Sequence, residues 1–232
     1  LYYNNRPSST ADSFIVAFPD GARRVINKPT SKSARGLRLS MPGETAIFGG
    51  TFDPVHYGHL LLAETARDQL RLERVVFVPA ARGPHRARSP RAAAADRLAM
   101  LELALADNPA FALTELELRR GGLSYTIETV ERLGLEQPWL LVGADNLVEL
   151  QDWHRIGELV RLVRFAYVPR PGVTIDEGLL PPGTRTRSLE MPLCGVSSTL
   201  LRRRAEAGRS LLYLTPDPVI GYIAERKLYR RG

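Results

Sequence analysis

The chain has 232 residues, 44% of them hydrophobic, which suffices for one sizeable core and makes a single α/β domain the default. Its one cysteine, Cys194, excludes an internal disulfide and any multi-cysteine metal site. No apolar run approaches the ~20 residues of a membrane span, and the first residues lack the apolar stretch of a signal peptide. The formal charge of +7 is concentrated upstream, with seven basic side chains against two acidic ones in residues 1–40 and 25 against 23 in residues 41–232. A general attraction to nucleic acid is therefore not a property of the main domain. The working expectation is a cytoplasmic protein with no membrane and no nucleic-acid partner.

Residues 1–40 are rich in Ser, Arg, Asn and Pro, with one short apolar stretch at 14–18 and no sustained period, which predicts a disordered N-terminal extension. The domain is expected over 41–232. The chain begins at Leu1, and Met41 stands just ahead of the first strong strand, so Met41 is the expected native start and the upstream part a vestigial or mis-called leader. A transit peptide is the rival reading, since Arg and Ser abound and acids are scarce.

From Met41 onward short apolar runs alternate with helical patterns. Strands are predicted over 45–48, 75–78, 111–118, 139–142 and 165–168, and helices over 58–70, 91–106, 127–133, 156–162, 197–207 and 218–226. The Pro- and Gly-dense stretch 169–186 reads as a loop or a small excursion. This order predicts a Rossmann-like, mostly parallel sheet with helices on both faces and ligands at the carboxyl ends of the strands.

The first strand runs into Gly49-Gly50-Thr51-Phe52-Asp53-Pro54-Val55-His56-Tyr57-Gly58-His59 and then a helix. A glycine turn lets a ligand approach the backbone, and a helix N-terminus carries partial positive charge suited to phosphate. His56 and His59, three apart, project towards one point and can donate hydrogen bonds to oxygens that gain charge as phosphorus becomes five-coordinate. Helix caps or metal ligands are the plainer reading, but no third and fourth ligand has the usual metal spacing. A second element, Val196-Ser197-Ser198-Thr199-Leu200-Leu201-Arg202, sets three hydroxyls at a helix start and an arginine one turn on. That is a plausible cradle for β- and γ-phosphates, although a lone Ser there is as readily a simple N-cap.

The complete tetrad His56-Tyr57-Gly58-His59 resembles the (H/T)-x-G-H signature of the nucleotidyltransferase superfamily, and Val196 to Arg202 resembles its second signature, (I/V)-S-S-T-x-x-R. Ser124-Tyr125-Thr126, Thr129, Gly143-Ala144-Asp145 and Trp153 add a resemblance to bacterial nicotinate mononucleotide adenylyltransferases that extends over residues 45–229.

The resemblance implies transfer of AMP from ATP to nicotinate mononucleotide, giving deamido-NAD and pyrophosphate in NAD biosynthesis. It implies His56, His59 and Arg202 as catalytic residues. Gly49, Gly50, Phe52, Asp53, Gly58, Ser197, Ser198 and Thr199 would surround ATP and its phosphates. Thr126, Gly143, Asp145, Trp153, His154, His85 and Arg170 would receive the mononucleotide, with the Trp153 indole stacked on the pyridine ring. Mg2+ would arrive with ATP rather than on protein ligands, and a homo-oligomer is compatible with the reading. The family usually carries an Asn in the loop after the second strand, where this chain has Ala80 and Ala81, so any contact there falls to the backbone. His154 stands where the family often has Tyr.

Two further readings remain at this stage. A phosphopantetheine adenylyltransferase shares the first two signatures but lacks the segment 124–126 and Trp153. A non-catalytic nucleotide-binding regulator could retain the fold, but both phosphate signatures are complete here. The contacts that separate nicotinate from nicotinamide are largely backbone donors, so side chains leave both acceptors open.

Overall fold

The computed structural model describes residues 13–17, 23–27, 44–82 and 89–230. Within them the chain builds β1 (Ser13–Ala17), β2 (Arg23–Asn27), β3 (Thr45–Gly50), α1 (Tyr57–Gln69), β4 (Arg74–Pro79), α2 (Ala94–Leu105), β5 (Phe111–Thr114) and α3 (Leu116–Arg120). There follow α4 (Thr126–Leu133), β6 (Trp139–Gly143), α5 (Ala144–Val148), α6 (Ile156–Leu162), β7 (Arg164–Val168), β8 (Thr186–Ser188), α7 (Ser198–Glu206) and α8 (Asp217–Glu225).

All strands join one sheet in the order β2-β1-β5-β4-β3-β6-β7-β8. The six strands β3 to β8 run parallel, as the alternation of strands and helices predicts. Side-chain alternation sorts the sheet into two cores. Ala46, Phe48, Val75, Phe77, Leu113 and Leu141 face a layer containing α1, α2, α7 and α8. Ile47, Val76, Val78, Ala112, Leu140 and Phe165 face α4, α5 and α6. Burial on both faces explains why the central strands read as unbroken apolar runs. Chain order reverses between β3 and β6, so the carboxyl ends of these neighbours open a crevice where α1 and α5 begin.

Two expectations are corrected. The predicted strand 111–118 ends at Thr114, whose Oγ1 accepts the Leu116 N–H (3.4 Å) and turns the chain into α3; Glu115 then pairs with Arg119 one helical turn on (3.0 Å). The end of the predicted loop contributes a short strand, β8, on β7, too brief for any periodicity to reveal. Within residues 1–40, residues 13–17 and 23–27 pair as an antiparallel hairpin whose first strand also pairs with β5. Both segments contain β-branched residues suited to strands. The rest of residues 1–43 lies outside the described residues.

Candidate active site

The turn between β3 and α1 is shaped by glycines at two contacts. A Cβ on Gly50 would lie 2.9 Å from the Phe52 ring, and one on Gly58 would lie 3.1 Å from two atoms of the His56 ring and 3.3 Å from the Val196 carbonyl. Gly49 has nothing within 4 Å of an added Cβ and lies on the open face of the crevice. Gly58 thus lets the His56 ring lie against the first turn of α1.

His56 is the N-cap residue of α1, with extended backbone, and is 6% exposed. Its ring stacks on that of His59, with centroids 3.7 Å apart. The His56 N–H donates to His59 Nδ1 (3.2 Å), so the neutral His59 imidazole carries its proton on Nε2. Phe52, 2% exposed, sets its ring edge-on behind His59 at 5.0 Å. Burial lowers the His56 pKa from 6.5 to about 4. Both imidazoles line a cleft of about 1130 Å³ over the carboxyl ends of the strands. His56 is therefore a neutral group at pH 7, a dipole donor rather than a cation.

The second signature packs across the turn. Ser197 is the N-cap of α7, its Oγ accepting the Leu200 N–H (3.2 Å). Ser198 Oγ donates to the Pro54 carbonyl (2.8 Å). Arg202 reaches from the next turn, donating to the Asp53 carbonyl (2.7 Å) and to Thr199 Oγ1 (3.1 Å). Arg91, Arg170, Arg202 and Arg203 all line this cleft, a cationic setting for phosphate.

Asp53 lines the same cleft and also holds the turn in place. Its carboxylate accepts the Arg91 N–H (2.8 Å), the Ala92 N–H (3.1 Å) and the Tyr229 hydroxyl (2.8 Å), so its acceptor sites are turned inward. Asp53 ties the turn to the start of α2 and to the segment after α8. Arg97, 1% exposed, donates to the Thr51 carbonyl from below (2.7 Å). Thr215 Oγ1 does the same for the Val55 carbonyl (2.9 Å).

A smaller cavity of about 170 Å³ adjoins the cleft and shares Gly49, Gly50 and Thr51 with it. Thr126, Trp153 and His154 line it. Thr126 opens α4, and the His154 ring tilts against Tyr125, with centroids 4.4 Å apart. The residues expected around the mononucleotide therefore divide: Gly143, Asp145 and Arg170 lie on the larger cleft instead, where the last two form an ion pair. His85 lies outside the described residues.

Residues 47–204 match the cytidylyltransferase-like family model. A protein of Symbiobacterium thermophilum named "Probable nicotinate-nucleotide adenylyltransferase" is 46% identical over 198 residues, covering 81% of this chain and 95% of its own length. One of the same name from Herpetosiphon aurantiacus is 45% identical over 192 residues, covering 79% and 96%. The chain belongs to the nicotinate-nucleotide adenylyltransferases of this family. Its fold is similar to that of the solved Plasmodium falciparum nicotinic acid mononucleotide adenylyltransferase complexed with NaAD, with a TM-score of 0.66 at 18% identity over 81% of this chain and 97% of that one.

Within this adenylyltransferase, sequence reasoning passed over Arg97, Glu117, Asn146 and Tyr229. Arg97 occupies the buried side of α2 beside Leu101, a polar residue within an apolar stripe, and that mismatch was a legible signal. Glu117 was hidden by the strand predicted over it.

Proposed function

We infer that this chain transfers AMP from ATP to nicotinate mononucleotide, releasing pyrophosphate and forming deamido-NAD. The observation that carries the reading is the junction of the two cavities: the smaller one shares Gly49, Gly50 and Thr51 with the cleft that the stacked His56–His59 pair lines. A ring bound in the smaller cavity and a triphosphate in the larger one would meet at that point.

The mononucleotide phosphate is already an anion at neutral pH, so its attack on the α-phosphorus needs no activating base. Catalysis becomes positioning plus stabilisation of charge on the α-phosphoryl oxygens. His59, with its proton on Nε2, and the neutral His56 supply donors there. Arg202, held in place by the Asp53 carbonyl, receives the leaving pyrophosphate together with Thr199 and the N-terminal turn of α7. The only carboxylate in the β3–α1 turn accepts three hydrogen bonds from protein groups, which suits Mg2+ entering on the ATP phosphates as part of the substrate. A cytoplasmic location accords with an ATP-dependent reaction and a single free thiol.

The test is pyrophosphate release from ATP with nicotinate mononucleotide, nicotinamide mononucleotide or phosphopantetheine in parallel. Turnover is expected to be fastest with nicotinate mononucleotide, with deamido-NAD identified by mass. His59→Ala should lower kcat by ~100-fold in a folded protein. Faster turnover of phosphopantetheine, or full activity of the variant, would reject the reading.

A further inference from the structure

Glu117 is a carboxyl group in an unusual place. It lies on α3, is 6% exposed, and lines the smaller cavity, as Trp153 does. Thr129 on α4 donates its hydroxyl hydrogen to Glu117 Oε1. Burial raises the Glu117 pKa, and hydrogen bonds from Thr129 and Ser124 work against that rise. Arg120 also lowers the Glu117 pKa through its charge, but its direct contacts are the Glu128 carboxylate, with which it pairs, and the Leu123 carbonyl, to which it donates (2.7 Å). Among the described residues, no Arg or Lys lines this cavity, whereas a second carboxylate, Glu149, does.

A buried carboxylate is costly unless something pairs with it, and a glutamine could hold Thr129 and Ser124 without that cost. A ligand that brings its own positive charge removes the penalty. An N-glycosylated pyridine ring is such a ligand, because its ring nitrogen is quaternary and carries a formal positive charge at every pH. Trp153 points to the same chemistry, since an indole face attracts cations. The ring's own carboxylate does not require an arginine, because first-turn N–H groups at the start of α4 lack intrahelical partners.

We propose that Glu117 is a specificity-determining residue that supplies the counter-charge for the pyridinium ring of the acceptor, so that the cavity selects oxidised pyridinium nucleotides over uncharged rings of the same shape. The proposal rests on the mononucleotide reading above and deepens it.

The experiment compares nicotinate mononucleotide with its 1,4-dihydropyridine form, which keeps the carboxylate, ribose and phosphate but has a neutral ring. Wild-type kcat/KM, read as pyrophosphate release, should favour the oxidised form by about 10-fold or more. In Glu117→Gln that preference should collapse, through a rise of about 10-fold in KM for the oxidised form with KM for the dihydro form within about 2-fold of wild type. Thermal unfolding checks that the variant is folded. A purely structural role would weaken both acceptors alike, and that outcome overturns the proposal. Equal wild-type efficiency on the two forms overturns it without any variant. If wild type adenylylates neither form, the mononucleotide reading itself fails, a result distinct from loss of charge selectivity.

Discussion

His56 and His59 are the same residue type three positions apart, yet the fold makes them chemically different. His56 is largely buried at the start of α1, and burial moves its pKa from 6.5 to about 4. In the unfolded chain it would protonate near pH 6.5, whereas the folded protein resists until about pH 4. The sign follows from linkage: the unfolded state binds more protons in this window, so the His56 contribution is complete above pH 6.5 and declines as pH falls towards 4. By pH 5 the loss amounts to about 2 kcal/mol. A His56→Gln variant, which has no proton to take up, should show a smaller fall in Tm between pH 7 and pH 5 than wild type. Parallel Tm curves would mean that His56 is not held neutral. The sequence placed both histidines at a helix start, but their inequality depends on ring burial that no local pattern encodes.

At the level of elements, the site is a set of N-termini and strand ends held at fixed separations. Gly58 illustrates the constraint. Alanine is favoured over glycine within a helix by about 1 kcal/mol, so Gly58→Ala should stabilise α1 on propensity alone. Against this, its Cβ would crowd the His56 ring at 3.1 Å and the Val196 carbonyl at 3.3 Å, and that carbonyl belongs to the segment entering α7. The backbone oxygen can yield only if α7 moves, so the imidazole is expected to shift first. Turnover should drop by about 10-fold or more while Tm changes little. Wild-type kcat in this variant would show that the His56 ring position is not critical. Asp53 shows the complementary constraint, because a charged residue inside a phosphate signature also joins distant elements. Its three partners, at Arg91, Ala92 and Tyr229, are 38 to 176 residues away in sequence. Separations of that size are why its role was not legible beforehand.

For the whole molecule, every described residue of both cavities lies within 47–206, and the family match begins at residue 47. The hairpin β1–β2 adds an antiparallel edge to β5, on the far side of β4 from the crevice. Removing residues 1–40 should therefore leave kcat and KM within about 2-fold of the full chain, a result steady-state kinetics on the truncated protein can check. A large loss of kcat would give the extension a role in the reaction.

The sequence by itself determined the alternating architecture, the helix starts and the two phosphate signatures, because these depend on periodicity, glycine and local capping chemistry. It also brought Thr126 and Trp153 into view through resemblance. Only the tertiary structure decided which distant groups each polar residue meets. Asp53 joins α2 and Tyr229, Ser197 caps α7, Asp145 pairs with Arg170, and Glu117 emerges from a segment that reads as strand. Those outcomes depend on which distant donors arrive at each side chain once the sheet is ordered 5-4-3-6-7 around the crevice. Local spacing records the chemistry a residue can perform, and long-range packing selects the partner that uses it.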